Sequence, residues 1–235
     1  MLYIAAIMAG GVSSRMGKSK PKQFLDLNGR PVLIVTLDKF INAFDAVYVG
    51  IHPEWCEYTA GLLCDFYGKD HNIKIVQGGK SRHDTLMEVI AKIEKNHILS
   101  EEDVIVTHDA ARPLVSKEII AAHIREMKNQ ICCGTYIENE DTLAYSENRK
   151  TIKKTISRHN IWRAQTPQSF KLSALKNAIK NLSREQIESL TDACGIFELA
   201  HKHTPVKIVP GSMLNFKITK QEDLELAGKL ILISF

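Results

Sequence analysis

The feature that most constrains this chain is a repeated pairing. A short apolar run ends in a glycine or polar turn, and an amphipathic stretch with a capping residue at its head follows. Tyr3 to Met8 is such a run, read as a buried strand ending at Gly10-Gly11. Pro31 then opens a stretch with Leu33, Leu37, Phe40 and Ile41 at helical spacing. Ala46 to Ile51 reads as a strand closed by Pro53, and Ile73 to Val76 as another closed by Gly78-Gly79. Ser81 caps a helix bearing Leu86, Val89, Ile90 and Ile93, with Asp84 at its third position. Val104 to Thr107 is a strand running into His108-Asp109, and Ser116 caps a helix with Ile119, Ile120, His123, Ile124 and Met127 on one side. Strands alternating with helices imply an α/β fold, a mostly parallel sheet with helices on both faces.

The later third is less regular. Ile131 to Ile137 and Thr151 to Ile156 read as strands flanking the polar segment Glu138 to Lys150. They form either a protruding β-arm, whose unpaired edges another subunit would cover, or a plain surface hairpin. Ser183 with Gln186, and Thr219 with Glu222, have capping-box spacing for two late helices. No repeat or linker divides the chain, so residues 1–235 are read as one domain.

Composition narrows the function. No apolar run approaches the roughly 20 residues a membrane span requires, and the apolar start lacks a basic flank, so a cytoplasmic location is expected. With 31 Lys+Arg against 27 Asp+Glu, the net charge of +4 suits an anionic small molecule. The concentrated basic stripe of a nucleic-acid binder is missing. The one short cluster, Lys18, Lys20 and Lys22, sits beside a glycine turn and suggests a phosphate site instead. The five cysteines include no C-x-x-C pair, which argues against zinc and a disulfide framework and for buried free thiols in a reducing compartment.

In an open α/β sheet, ligands bind at the carboxyl ends of strands. Four polar clusters fall there. The first is Ala9-Gly10-Gly11-Val12-Ser13-Ser14-Arg15-Met16-Gly17, continuing to Lys22. Glycines admit a close ligand, turned amides bind anions, and Arg15 and Lys22 add the charge that a triphosphate under attack requires. It is not a P-loop: Gly17-Lys18-Ser19 supplies the end, but position 12 is Val. The dinucleotide pattern G-x-G-x-x-G is absent too. The second cluster, Gly78 to Thr85, is another glycine turn leading into a helix N-terminus. The third, Thr107-His108-Asp109-Ala110-Ala111-Arg112-Pro113, delivers a carboxylate and a guanidinium into a loop; Asp109 would hold Mg²⁺ or bind a substrate hydroxyl. The fourth is scattered: Arg158, Thr166-Pro167-Gln168, Thr191-Asp192 and Asn215-Phe216-Lys217-Ile218-Thr219, with Lys217 read on an apolar strand.

These residues carry a resemblance. Ala9-Gly10-Gly11, Ser14-Arg15-Met16-Gly17 and Pro21-Lys22-Gln23-Phe24 look like the signature of sugar-phosphate nucleotidyltransferases. Gly78-Gly79-x-x-Arg82, His108 to Pro113, Thr166-Pro167-Gln168-x-Phe170 and Asn215 to Thr219 narrow it. Together they resemble the methylerythritol-phosphate cytidylyltransferase / ribitol-5-phosphate cytidylyltransferase family, over residue 3 to about 230. The resemblance implies a Rossmann-like nucleotidyltransferase fold and a homodimer, with Thr135 to Ile156 as a dimerisation arm. It implies attack of a sugar-alcohol phosphate on the α-phosphorus of CTP, with Mg²⁺ as cofactor and release of pyrophosphate. By motif, Arg15, Lys22, Arg158 and Lys217 are the expected catalytic residues. Met8, Ala9, Gly10, Gly11, Gly79, Arg82, Thr85, Ala110 and Arg112 are expected around CTP, and Asp109, Arg158, Thr166 and Thr191 around the acceptor, some across the dimer interface. Asp109 is also the expected metal ligand.

Two residues depart from that pattern. Ser13 stands where a second glycine is usual, at a strain on the order of 1 kcal/mol if φ is positive there. Lys80 stands where an acidic residue is common, which would relax nucleotide preference. Thr85, Thr107 and Thr191-Asp192-Ala193-Cys194 look like the ribitol branch, whereas Ala111 and Trp162-Arg163-Ala164-Gln165 look like the methylerythritol branch. Because Thr191 and Cys194 fall in the expected acceptor region, ribitol 5-phosphate is the favoured acceptor and methylerythritol 4-phosphate the alternative. A nucleotide-binding regulator without catalysis is a further alternative, motivated by Ser13 and Lys80.

Overall fold

The computed structural model describes residues 1–11, 20–200 and 204–233. β1 (Tyr3–Ala9) is the apolar run of the opening residues. A strand's side chains alternate between faces. Ala5, Ile7 and Ala9 therefore join the core on one side of the sheet, and Ile4, Ala6 and Met8 the core on the other. Burial on both faces is why the run shows no polar alternation.

Past a 3-10 turn over Lys22–Phe24, a small ladder forms between β2 (Asp26–Leu27) and β3 (Arg30–Pro31). Its turn residues Asn28 and Gly29 take φ of 56° and 82°, the left-handed pair that Asn-Gly supplies. α1 (Val32–Leu37) is shorter than the expected amphipathic stretch: Phe40 lies in the turns that follow, buried all the same. Thr36 survives inside this apolar helix because its hydroxyl donates to the Val32 and Ala110 carbonyls.

β4 (Ala46–Ile51), β5 (Ile73–Gln77), α3 (Arg82–Asn96), β6 (Val104–Asp109) and α4 (Lys117–Glu126) continue the alternation as expected, and α2 (Cys56–Tyr67), not read from the sequence, lies between β4 and β5. The Ser81–Asp84 capping box is formed in both directions, and the Ser116 hydroxyl accepts from the Ile119 N–H. The chain then runs through β7 (Cys132–Glu138), β8 (Leu143–Tyr145), β9 (Lys154–Ile156) and β10 (Trp162–Lys171). It ends with α5 (Leu172–Lys180), α6 (Arg184–Glu188), α7 (Ala193–Ala200), β11 (Lys207–Pro210) and α8 (Gln221–Ile233).

Among the described residues the main sheet runs β11-β7-β10-β6-β1-β4-β5. β10 is antiparallel to both neighbours; the other pairs are parallel. Met8 pairs with Gly50 on one side and with Asp109 on the other, so β1, β4 and β6 end flush at one edge. α1, α2 and α4 pack toward one core, and α3, α5 and α7 toward the other. Among the described residues no helix is long and apolar enough to cross a membrane.

One strand was not anticipated, and three expectations need correction. β10 does not show in the sequence pattern: Gln165, Thr166, Gln168 and Ser169 are polar yet buried, and a register shift between Gln165 and Gln168 accommodates Pro167. The expected strand over Thr151 to Ile156 contains β9, but its partner is β8, inside the supposed polar segment, and the two form a separate hairpin while β7 pairs with β10 and β11. Lys217 lies on irregular backbone, not a strand; the neighbouring Ile218 N–H donates to the Ala111 carbonyl and pins the segment to the cleft. The last helix is capped by Asp223, one position beyond Glu222, whose carboxylate accepts from the N–H groups of Thr219 and Lys220 and from the Thr219 hydroxyl.

Candidate active site

The flush ends of β1, β4, β5 and β6 open into a cleft of about 560 Å³, a size suited to a nucleotide-sized ligand. Packing explains its floor. The Thr85 side chain, from the first turns of α3, fills space that three glycines leave open. A Cβ on Gly50 would lie 2.5 Å from Thr85 Cγ2, one on Gly78 2.7 Å from Thr85 Oγ1, and one on Gly10 3.1 Å from it. The Thr85 hydroxyl donates to the Ser81 carbonyl, so the wedge is itself held. Gln23 braces the glycine turn: its buried amide donates to the Ala9 carbonyl at 2.6 Å and the Gly11 carbonyl at 3.2 Å.

The charges converge on one carboxylate. Asp109, at the end of β6, faces Lys217 Nζ at 2.9 Å, Arg82 at 3.4 Å and Arg112 Nε at 3.5 Å. Burial pushes the Asp109 carboxyl up, but Arg82, Lys217 and Arg112 outweigh it and hold it well below the usual carboxylate range. Three cations against one anion leave the cleft electropositive. Lys22 Nζ reaches in from the 3-10 turn and donates to the Ile218 carbonyl at 2.9 Å, beside Lys217. Polyanionic phosphate is the ligand chemistry such a site takes.

Behind this edge, His108 is buried and neutral; burial pushes its imidazole down to about 4. Asn215 is fully buried and donates to the Thr166 carbonyl and the Gln165 side chain, while the Asn215 carbonyl accepts from Arg112 at 2.7 Å.

Of the expected residues, the cleft brings together Met8, Ala9, Gly10, Gly11, Lys22, Arg82, Thr85, Asp109, Ala110 and Lys217. Arg15 and Ser13 lie outside the described residues. Gly79 stands behind the wall, where a Cβ would meet Asp84 Cβ at 2.3 Å; it is glycine for packing against α3. Arg112 buttresses Asp109 from behind, and the Thr166 hydroxyl is buried against the Asp109 N–H.

Arg158 and Thr191 are not brought to the cleft. Arg158 sits just past β9, in a separate polar cavity with Glu138 and Asn139, and donates to the Glu140 carbonyl. Thr191 is exposed just before α7. Cys194 does not face a ligand either: it is buried in the core, where a Cβ on Gly134 would lie 3.0 Å from its Sγ. That removes the residue on which the preference for ribitol 5-phosphate partly stood.

Asp109 does not fit as a metal ligand. Both its carboxylate oxygens already face cations, Oδ1 toward Arg82 and Oδ2 toward Lys217 and Arg112. Lining residues not anticipated as binding groups are Gln23, His52, Ser81 and Ala111; Lys80, expected to bear on nucleotide preference, lines the cleft as well. His52 follows β4 directly, so the strand-end rule that picked out Asp109 also points to it. The role of Gln23 leaves no such signal, because its partners are backbone carbonyls.

A glycine-turned sheet edge whose lysines and arginines surround a nucleotide-sized cleft defines a nucleotidyltransferase. Residues 3–233 match the model of the family described as "IspD: 2-C-methyl-D-erythritol 4-phosphate cytidylyltransferase", and the chain belongs to that family, whose members are CTP-dependent cytidylyltransferases. It is similar to the 2-C-methyl-D-erythritol 4-phosphate cytidylyltransferase of Francisella tularensis (28% identity, TM-score 0.81, covering 97% of this chain and 99% of that one). A 4-diphosphocytidyl-2C-methyl-D-erythritol synthase structure matches with 26% identity and a TM-score of 0.81, over 98% and 100% of the two chains. The synthase of Anaerococcus prevotii shares the fold at 24% identity and a TM-score of 0.78, over 98% of each chain.

Proposed function

We propose that this chain transfers the cytidylyl group of CTP to 2-C-methyl-D-erythritol 4-phosphate, releasing pyrophosphate. The observation that carries the reading is the convergence of Lys22, Lys217 and Arg82 on a cleft floored by the Gly10-Gly11 turn. The acceptor follows from the family description and the names of the matched structures. Each branch leaves a residue in the cleft, Ala111 for methylerythritol and Thr85 for ribitol, while Cys194, also offered for ribitol, is buried away from it. Lys22 and Lys217, in place in a family of enzymes, favour catalysis over a regulator without it.

In this mechanism a phosphate oxygen of the acceptor attacks the α-phosphorus. A new P–O bond forms, and the bond to the bridging oxygen breaks as pyrophosphate leaves. The nucleophile is already an anion, so no covalent intermediate on the protein is required. Catalysis is positioning plus charge stabilisation, with Lys22 and Lys217, and Arg15 by its motif, set against the charge that builds on the α-phosphate. Asp109 holds Lys217 and Arg82 in place and offers its remaining acceptor capacity to hydroxyls of the acceptor. Mg²⁺, when bound, would take its oxygens from the triphosphate and water and supply charge neutralisation there, with Asp109 left to its cations.

Arg158 and Thr191 belong to the acceptor site only if a second copy of the chain completes it. The arm suits that role: Tyr145, Ile152 and Ile156 are exposed apolar side chains on or beside its hairpin. The reading is thus a homodimer of single-domain chains acting on small molecules in the cytoplasm. The test is pyrophosphate release from CTP and Mg²⁺ with each acceptor separately. Higher kcat/KM with methylerythritol phosphate is expected; a clear preference for ribitol 5-phosphate overturns the acceptor assignment.

A further inference from the structure

We propose that His108 is a positioning residue for cytidylyl transfer: one neutral imidazole holds both ends of the Asp109–Arg112 loop that organises the cleft's charges. The inference rests on the cleft being the transfer site.

The direction of each hydrogen bond follows from donor chemistry. His108 Nε2 lies 3.1 Å from the Arg112 carbonyl oxygen. A carbonyl only accepts, so Nε2 carries the proton. Nδ1 is then a bare acceptor, and the Thr166 hydroxyl, 3.1 Å away, donates to it. With its proton spent there, Thr166 Oγ1 turns a lone pair to the Asp109 N–H at 3.0 Å. The first residue of the loop is held through Thr166 and the last directly. The other tautomer would set a bare Nε2 against the Arg112 carbonyl, acceptor facing acceptor, and a protonated ring would turn Thr166 into a double acceptor whose own hydroxyl proton loses this partner.

The same ring ties three distant segments to the cleft. Arg112, whose backbone His108 holds, donates from its guanidinium to the Asn215 carbonyl and faces Asp109 with Nε. Asn215 in turn donates to the Thr166 carbonyl at 2.9 Å. Lys217, two residues on, meets the other side of Asp109. β6, the β10 register shift and the 215–218 segment therefore close on one buried histidine that touches no substrate. Its ring also packs on Phe40, with centroids 4.8 Å apart, which leaves it little freedom to turn.

Steady-state pyrophosphate release with CTP and methylerythritol 4-phosphate tests the role on His108→Leu, Thr166→Val and Thr166→Ser, alongside thermal unfolding. Displacement of a reacting group by about 1 Å costs on the order of 10²-fold. His108→Leu and Thr166→Val should therefore lose at least about tenfold in kcat/KM for the acceptor while folded at the assay temperature. Thr166→Ser, which keeps the hydroxyl, should stay within about threefold of wild type. Two outcomes overturn the inference: folded His108→Leu and Thr166→Val with wild-type kinetic constants and only a lowered Tm, or neither variant folding, which would make the ring a requirement of the fold alone. Absence of pyrophosphate release by wild type with either acceptor refutes instead the reading of the cleft.

Discussion

Two histidines buried in the neutral form give this protein a steep acid side to its stability. Burial pushes His108 down to about 4 and His123 to about 3. His123 Nδ1 meets the Ser169 hydroxyl at 2.7 Å and Nε2 the Thr135 hydroxyl at 2.8 Å, while Thr135 donates to the Pro167 carbonyl. The groups facing His108 are Asp109, Arg112 and Arg82, and His108 itself faces His123. An unfolded histidine titrates near 6.5, so below that pH the unfolded chain binds more protons. Stability is therefore complete above pH 6.5 and falls as pH drops from there toward the folded values. At pH 5 each histidine accounts for about 2 kcal/mol of loss relative to pH 7.5, roughly 4 kcal/mol together. Glu198, whose carboxyl burial pushes up, works in the opposite sense and trims the sum. Asp109, held low, protects until the pH falls below the unfolded aspartate range. Urea unfolding at pH 7.5 and pH 5 measures the difference. A midpoint that drops strongly at pH 5 with an unchanged m-value is the expected result. Equal stability at the two pH values would refute the claim that these imidazoles are buried neutral.

The wall of the cleft gives two further predictions. Gly79→Ala places a Cβ 2.3 Å from Asp84 Cβ and 3.1 Å from the Asp84 backbone carbon, which cannot swing away. Overpacking of this kind costs about 1–3 kcal/mol, and calorimetry should show Tm lowered by about 2–4 °C per kcal/mol. Asp109→Asn removes a charge at constant shape and leaves Lys217, Arg82 and Arg112 facing one another. Removing one partner of a buried pair costs about 3–5 kcal/mol. Because Lys217 is 39% exposed, solvent screens part of that, and a loss near about 2 kcal/mol is expected from denaturant titration, with acceptor use impaired.

The central strands were legible because they are buried on both faces: Tyr3–Ala9 and Ala46–Ile51 are unbroken apolar runs with one structural explanation. The cleft was legible for a related reason, since parallel strands deliver their ends to one edge and Asp109, Gly78 and Gly10 all sit at such ends. β10 was not, because its buried middle is polar and satisfied by partners distant in sequence: Gln168 by Asp192 and the Ala193 N–H, Thr166 by His108 and Asp109. Lys217 stands at the expected edge but on irregular backbone, since a segment tied to Ala111 by one hydrogen bond carries no periodic pattern. Arg158 was attached to the site by motif alone, and within one chain its elements hold it in another cavity.

The central claim is that lysines from distant parts of the chain act on the α-phosphate of bound CTP. Pyrophosphate release by Lys22→Ala and Lys217→Ala, with CTP affinity measured separately, tests it most directly. Removing a preorganised charge from a transition state costs about 10²–10³ in turnover, so both variants should fold and bind CTP yet fall to that level. Either variant turning over at the wild-type rate would contradict the account.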